Sequence, residues 1–599
     1  MTEENVNYNT PILHLTLNFS TPLPNPNYGA EAAAAATIER TPGNTAAHNS
    51  SKPLPPPPSL DKYSSPFGWP PTRKYVICCM LSIAAMLTTY AVGAYSPPVD
   101  LMAAEFGVSR TAVLTGTTTF CVGFALAPML LAPFSELKGR YAVFVAAGAL
   151  FVFSQLLCGV VPDLGSMLVA RFLSGFGSSV FSTNIGGAIT DMWPKKDRNT
   201  PMAFYSGAVM VGTGLGPLAT SLIVFRWGSP GQKLTGITAP WRWVFWHQVI
   251  IDGLCLLAIA LFLPETRGSV LLIRKAKALN DWYEALEERG IYGVWIRPHD
   301  SDVPLEPTSS KSGDGALAAA TEMQVRNDGT VLLRIRWVVE DEQNRASLSR
   351  MIQVSVLRPF TLLITEPVVF SFSLWASFSW AVLFLCFNAI PLVFERQYGF
   401  NLQQVAYLFL SMIIGSVVGT AVGIGQENLL RYFRWVELHE QPPHHGEPEK
   451  FWSFVRRRFS VEAPESRLYL SCFTSVFLPI GLYLFGFAAQ ARIHWTVPAL
   501  GIAFSTFGVY TVYLATFNYL ADSYHIYASS ALAAQSFCRY AIAGVFPLVV
   551  SPLLVNLGEN GTGGLLGAIG TALLAVPWVL SIFGSRIRKS SKFASSLNT

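Results

Sequence analysis

The sequence predicts an all-α membrane protein with twelve transmembrane helices in two six-helix halves. Two observations carry this. Only 13% of the 599 residues are charged and 51% are hydrophobic, whereas a water-soluble globular chain carries about 25% charged residues. The apolar residues also come in blocks of about 20, the length that crosses a bilayer as a helix. Backbone groups in hydrocarbon must bond within their own segment, so these blocks are read as helices. The short alternating segments of a membrane β-barrel are absent.

In chain order, residues 1–73 form a polar Asn/Thr/Ser/Pro-rich tail that ends in "KPLPPPPSL". Such composition buries too little apolar surface to order itself, so the tail is expected to be disordered and cytoplasmic. Its proline run favours an extended polyproline helix, as a spacer or a partner ligand. Six apolar blocks follow at 75–95, 112–134, 141–161, 167–190, 201–223 and 243–263, the first half spanning 74–263. A central polar loop, 264–360, opens with "LPETRGSVLLIRKAKALNDWYEALEERG", which reads as a basic amphipathic helix on the membrane surface. Its middle, "PTSSKSGDGA", is expected to be disordered. Six further blocks lie at 367–393, 404–425, 468–489, 496–518, 529–555 and 563–583. They belong to a second half, 361–585, that carries its own loop at 426–467 and is followed by a tail, 586–599.

The first block ends "SPPVDLMAAEFGVS" and the seventh "AIPLVFERQYGFN". Both place Pro, an acidic residue and aromatic-Gly before the next block, as a repeated six-helix unit would, although helix ends favour Pro and Gly in any case.

Lys and Arg set the orientation. With the N-terminus inside, the inner face holds Arg73, Lys74, Lys138, Arg140, Lys195, Lys196, Arg198, the central loop, Arg456, Arg457, Arg458, Arg586, Arg588 and Lys589. The outer face holds only Arg110, Arg226, Lys233, Arg242, Arg396 and Arg492. Both termini are expected in the cytoplasm, with the plasma membrane as the location. The eight cysteines all fall in apolar blocks, so no disulfide framework is expected.

Three motifs refine the reading. "PFSELKGRYAV" in the turn after the second block resembles the cytoplasmic-loop signature of the major facilitator superfamily, Gly-x-Leu-Ala-Asp-x-x-Gly-Arg-Lys. The fungal drug:proton antiporter branch commonly reads Pro-Leu-Ser-Glu-x-x-Gly-Arg-Arg there. Glu136 takes the acidic place, Gly139 the turn and Arg140 the base, while Ala132 and Tyr141 depart from the pattern. The resemblance implies a latch between conformations; a positive-inside anchor is the alternative. "LVARFLSGFGSS" is similar to the family's second signature, with Arg171, Gly175 and Gly177 in register and Ser174 in place of Gln. "GTGLGPLATS" resembles the antiporter signature Gly-x-x-x-Gly-Pro-x-x-Gly-Gly. Gly212, Gly216 and Pro217 match, and Thr220 and Ser221 stand where two glycines are expected.

The fragments "WRWVFW", "LPETR", "LRPFTLLITEP", "NYLADSYHIYASSALAAQSFCRYAIAGVFPL" and "SRIRKSSKFA" extend the likeness over the chain from residue 73, the two long loops excepted. The resemblance implies the major facilitator fold and proton-coupled efflux of small organic compounds such as drugs, toxins or secondary metabolites. Polyamine or organic-acid transport and a membrane sensor are the alternatives.

Ionisable residues at membrane depth are the candidate proton-coupling groups: Asp252, Glu366, Arg171 and Arg539. Arg539 lies about ten residues into the eleventh block, roughly 15 Å deep at 1.5 Å per residue. It either binds an anionic substrate group, biases a carboxylate or forms a buried bridge. Arg171 either faces a partner or snorkels to the interface. Asn184, Tyr205, Trp375, Asn388 and Asn518 are the candidate cavity-lining residues. "HEQPPHH" lacks metal-ligand spacing, so no metal is expected. No GxxxxGK[ST] phosphate cradle or catalytic pattern is present, so no cofactor, nucleic acid or enzymatic step is expected. The expected partners are protons, the lipid bilayer and a small organic substrate, and the chain is expected to act as a monomer.

Overall fold

The structure, a computed structural model, describes residues 12–21, 55–227, 239–288, 294–296, 331–340, 348–439, 464–524 and 527–590. The "PTSSKSGDGA" segment, the loop around Gln232 and residues 440–445 of "HEQPPHH" lie outside them. The chain divides into two compact units, one of residues 70–264 and 348–599, the other of residues 1–69 and 265–347.

The larger unit holds the apolar helices. Its first half contains α1 (Pro71–Gly93), α2 (Arg110–Lys138), α3 (Arg140–Val160), α4 (Leu164–Met192), α5 (Asn199–Trp227) and α6 (Trp243–Phe262). Its second half contains α7 (Pro367–Tyr398), α8 (Leu410–His439), α9 (Phe477–Ala488), α10 (Thr496–Tyr524), α11 (Ala528–Leu573) and α12 (Ala575–Ser590). Local sequence explains the boundaries. Ser109 accepts from Ala112 N–H and Asp163 from Ser166 N–H, so both cap a helix start. Gly399 closes α7 at φ 65, where side-chain-bearing residues are disfavoured.

Eleven segments among the described residues are long and apolar enough to cross a membrane. The last, Ala528–Gly584, is 57 residues long, far beyond the 17–25 of one crossing. It breaks at Gly558, which has φ 67 and ψ 179. Arg539, before the break, stacks on Trp380. Gly570, after it, lies against Phe378, only two residues away on α7. On a continuous helix Arg539 and Gly570 would be roughly 45 Å apart. The chain therefore doubles back at Gly558, and the second arm of α11 with α12 makes the twelfth crossing.

Within each half α2 packs on α4, α1 on α5, and α7 on α11; between the halves α2 packs on α11 and α5 on α8 and α10. Large apolar side chains such as Ile250, Leu254, Leu257 and Leu261 of α6 and Ile414, Val417 and Val418 of α8 point outward. That is the reverse of a soluble bundle and fits a multi-pass membrane protein. The eighth helix outruns its expected end at 425 and continues to His439, because no Pro or Gly interrupts "QENLLRYFRWVELH".

The smaller unit corrects the reading of the tail and the central loop. Strand β1 (Leu13–Thr16) comes from the tail expected to be disordered. Strands β2 (Val294–Ile296), β3 (Val331–Leu333) and β4 (Ile335–Val338) come from the loop. β1 pairs in parallel with β4, and β2 antiparallel with β3. The helix Gly268–Glu287, expected on the membrane surface, instead buries Ala276, Leu279, Tyr283 and Leu286 against Leu15, Leu17, Ile335 and Trp337. Asn280 clamps Trp337 through both backbone groups, at 2.9 and 2.8 Å. Glu287 binds both Arg334 and Arg336, and the hydrogen bond from Arg334 is the main force holding its carboxyl down at about 2. Trp282 donates to the carbonyl of Pro55 in the proline run, at 3.1 Å. The tail's few apolar residues find a partner only through sequence-distant chain, which composition cannot show.

Candidate functional site

The turn that opens α3 comes first. Gly139 joins α2 to α3 at φ 98, a conformation that a side chain would strain. Arg140 is thereby aimed at α4. Its Nε lies 3.1 Å from Asp191 Oδ2, and its Nη1 donates to Ser135 Oγ at 3.1 Å. Glu136, expected to be the acidic partner of the latch, is half-buried and forms no ion pair among the described residues. Asp191, fifty-one positions on, takes that part. The second half repeats the device. Arg467, just before the ninth crossing, pairs with Asp522 near the end of α10 at 3.0 Å. Arg467 also donates to the carbonyl of Lys195, between α4 and α5 of the first half, at 3.5 Å. Arg198 lies within electrostatic reach of both Asp522 and Asp191. Nearby, Asn518 donates to Asn199 Oδ1 at 3.0 Å and Asn199 to the carbonyl of Gly423 at 3.2 Å, which ties α10, α5 and α8 together.

The antiporter-like motif works as a contact surface. A Cβ on Gly212 would lie 2.2 Å from the carbonyl oxygen of Met86, and one on Gly216 2.3 Å from that of Tyr90. Both positions therefore exclude any side chain, and α5 lies flush on α1. Pro217 abuts Gly93. Thr220, at a position where glycine was expected, returns its hydroxyl to the carbonyl of Gly216 at 2.7 Å and stays within its own helix.

Arg171 does not snorkel; it is fully buried. Its guanidinium stacks 4.5 Å from the Tyr95 ring and 4.6 Å from the Phe120 ring, and donates to the carbonyls of Ala91 and Gly116. It joins α1, α2 and α4 as an internal strut of the first half. Gly175 beside it meets Phe120 backbone and Gly177 meets Phe151 backbone.

Arg539 sits where the halves meet. Its guanidinium lies 4.4 Å from the Trp380 ring of α7, 4.9 Å from Tyr513 of α10 and 4.8 Å from Tyr540 of its own helix. The first half supplies Phe124 of α2, whose ring is 4.0 Å from Tyr540. It also supplies Tyr205 of α5, which approaches the Tyr513 hydroxyl at 3.3 Å and donates to the carbonyl of Ser182. Arg539 is 2% exposed, and its one hydrogen bond, to Ser536, is long at 3.4 Å. Its Nε and Nη1 have no protein acceptor, and neither has Trp380 Nε1. Each unmet buried donor costs about 1–3 kcal/mol, so the aromatic faces offset only part of the burial of this charge.

Of the cavity-lining candidates, Tyr205 belongs to this site. Asn388 accepts from Ser96 at 2.8 Å across the halves, and Asn518 lies in the Asn199 network. Asn184 is buried on α4. Trp375 departs from the expectation: it packs with Phe372, Val512 and Tyr519 in the core of the second half. Trp380, one and a half turns further along α7, holds the place by Arg539.

The two carboxylates lie apart. Asp252 of α6 is 4% exposed and borders a small, half-open pocket with Ala84, Leu87, Gly148, Phe151 and Phe181, all from the first half. Its Oδ2 has no hydrogen-bond partner. Tyr90 on α1 is within electrostatic reach of it. The Tyr90 hydroxyl and His247 Nε2 are 2.7 Å apart. Glu366 stands at the residue before α7 and accepts from the Tyr524 hydroxyl at 3.1 Å. Among the described residues no ion pair joins Arg171 or Arg539 to a carboxylate.

Against known families, the model described as Major Facilitator Superfamily matches residues 81–438, more than half of the chain. The chain belongs to the major facilitator superfamily. Among relatives of this facilitator, "Probable drug/proton antiporter YHK8" of Saccharomyces cerevisiae is 27% identical, over 87% of this chain and 86% of that one. "Efflux pump FUB11" of Gibberella moniliformis is 27% identical, over 88% of this chain and 75% of the relative. Among solved structures, the proton:xylose symporter XylE matches with a TM-score of 0.55 at 14% identity, covering 86% of this chain and 97% of the other. That likeness bears on the fold alone. In this facilitator the match reaches past α6 into the second half, as a single twelve-helix unit requires.

Proposed function

We propose that this facilitator exports small organic compounds, such as drugs, toxins or secondary metabolites, in exchange for protons. The observation that carries the reading is the Arg539 site. It draws side chains from α2 and α5 of one half and from α7, α10 and α11 of the other, so rocking of the halves opens or closes it. Besides the contacts around Arg539, the halves bond at two further places. Ser96 bonds Asn388 at 2.8 Å beyond the end of α1, and Arg467 bonds Lys195 at 3.5 Å near the start of α5. Parting one set while holding the other is what alternating access demands. The names of two relatives, drug/proton antiporter and efflux pump, support export and proton coupling. Polyamines suit the site poorly, because it presents a buried guanidinium and no ion-paired carboxylate.

Inside-out vesicles test this. An acid-inside pH gradient is expected to raise uptake of a transported compound at least fivefold, and a protonophore to return it to the gradient-free level. Gradient-driven uptake that survives the protonophore refutes proton coupling.

The orientation belongs to the same proposal. Both termini and the smaller unit face the cytoplasm of a plasma-membrane protein, from the Lys/Arg bias. In intact cells an impermeant maleimide is expected to label Gln232→Cys and to spare Ser50→Cys until the cells are permeabilised. Labelling of the tail from outside overturns the orientation.

A further inference from the structure

We propose that Arg539 and its three rings form a recognition site for the carboxylate of an aromatic or otherwise flat organic acid. This deepens the export reading and rests on it. Arg539 is 2% exposed, and two of its three guanidinium nitrogens have no protein acceptor. No ion pair among the described residues involves it. The other titratable groups near it among the described residues are Tyr205, Tyr513 and Tyr540, all neutral when protonated. The site is thus cationic, with no counter-ion among the described residues. The indole Nε1 of Trp380, also without an acceptor, adds a third donor beside the charge.

The chemistry of the donors and walls selects the ligand. A guanidinium in a water-poor site pairs best with a carboxylate, through short charge-assisted hydrogen bonds. One cation matches one negative charge; a phosphate dianion would call for a second, and no other Arg or Lys approaches these rings among the described residues. In this conformation Trp380, Tyr513, Tyr540 and Phe124 pack on Arg539 and on one another; a ligand that enters as the halves part meets these rings, and a flat apolar body stacks on them. An amine or polyamine would meet the guanidinium as a like charge.

The test compares naphthalene-2-carboxylate, naphthalene-2-carboxamide and naphthalene-2-methylamine, three ligands of one ring system that differ in charge. Equilibrium binding is measured with the full-length protein in lipid nanodiscs at pH 7. The wild type is expected to bind the acid at least tenfold more tightly than the amide, and the amine most weakly. Arg539→Gln is expected to lose the acid preference while binding the amide within twofold of wild type. Arg539→Lys keeps the charge and is expected to keep part of the preference. Equal affinity of the wild type for acid and amide, tighter binding of the amine, or an undiminished preference in Arg539→Gln overturns the proposal. The wild-type comparison stands even where the Gln variant fails to fold. Binding needs no gradient: an acid preference without gradient-driven flux removes the export reading alone, and gradient-driven flux without an acid preference removes this site alone.

Discussion

Asp252→Asn is expected to abolish pH-driven uptake into inside-out vesicles, at least a tenfold loss, while substrate exchange continues. In the export reading the drive is a proton gradient. A proton carrier must be an ionisable group that can be loaded and emptied inside the membrane. Asp252 is 4% exposed, borders a small pocket and leaves Oδ2 without a partner. The residue is therefore not spent on holding helices together. Tyr90 and His247, 2.7 Å apart on α1 and α6, offer a polar route beside it. Exchange moves one substrate out for one in and needs no net proton, so it survives in a coupling mutant. Glu366→Gln is expected to be milder, because Glu366 is committed to the Tyr524 hydroxyl at the start of α7. The assay runs both variants with and without the imposed gradient. Wild-type-like gradient-driven uptake in both refutes coupling through these carboxylates.

Asp191→Ala is expected to lower turnover about tenfold and to leave the KM within about twofold. Arg140 and Asp191 are 10% and 12% exposed, so the pair is largely withdrawn from water. Removing one partner of a fully buried pair costs about 3–5 kcal/mol, and about 2–3 kcal/mol is expected at this exposure, where Arg140 keeps its bond to Ser135. The cost falls on the conformation in which Gly139 presents Arg140 to α4, so it acts on switching and not on the distant Arg539 site. The double variant Arg140→Gln/Asp191→Asn is expected to recover at least 1 kcal/mol of the loss, the sign of direct coupling between neighbours. Glu136→Gln is expected to change turnover less than twofold, since Glu136 makes no ion pair among the described residues. Exchange kinetics and thermal unfolding on the three variants check this. A KM rise with turnover intact places the pair at the substrate site instead.

Much of this architecture is legible residue by residue. The six-and-six arrangement follows from block length, because lipid accepts only segments that satisfy their own backbone. Gly139, Gly212 and Gly216 were identified by local motifs, and their roles are local in kind: one turn and one flush helix contact. Arg140 was legible as a charge at a helix start, but Asp191, its partner, was not. Asp191 ends α4 beyond that helix's signature residues, and nothing in linear spacing brings residue 191 to residue 140. The same holds for Arg467 and Asp522. Trp375 and Trp380 show the limit sharply. Both are aromatic residues in one apolar helix, five positions apart. A helix in lipid buries more than one face, so periodicity does not say which face meets the other half and which meets its own core.

The sequence by itself determined the membrane class, the apolar blocks, the Lys/Arg bias between their ends and the four ionisable residues in or beside them. Each of these depends on the cost of placing a residue in hydrocarbon, a property of the residue and its near neighbours. Tertiary structure alone decided what those residues face. It paired Leu13–Thr16 with Ile335–Val338, sealed Arg171 inside one half, set Asp252 by a small pocket away from Arg539, and enclosed Arg539 in rings from α7, α10 and α11. Such contacts join positions tens to hundreds of residues apart. They depend on which helix faces meet, and hydrophobicity marks every face of these helices alike.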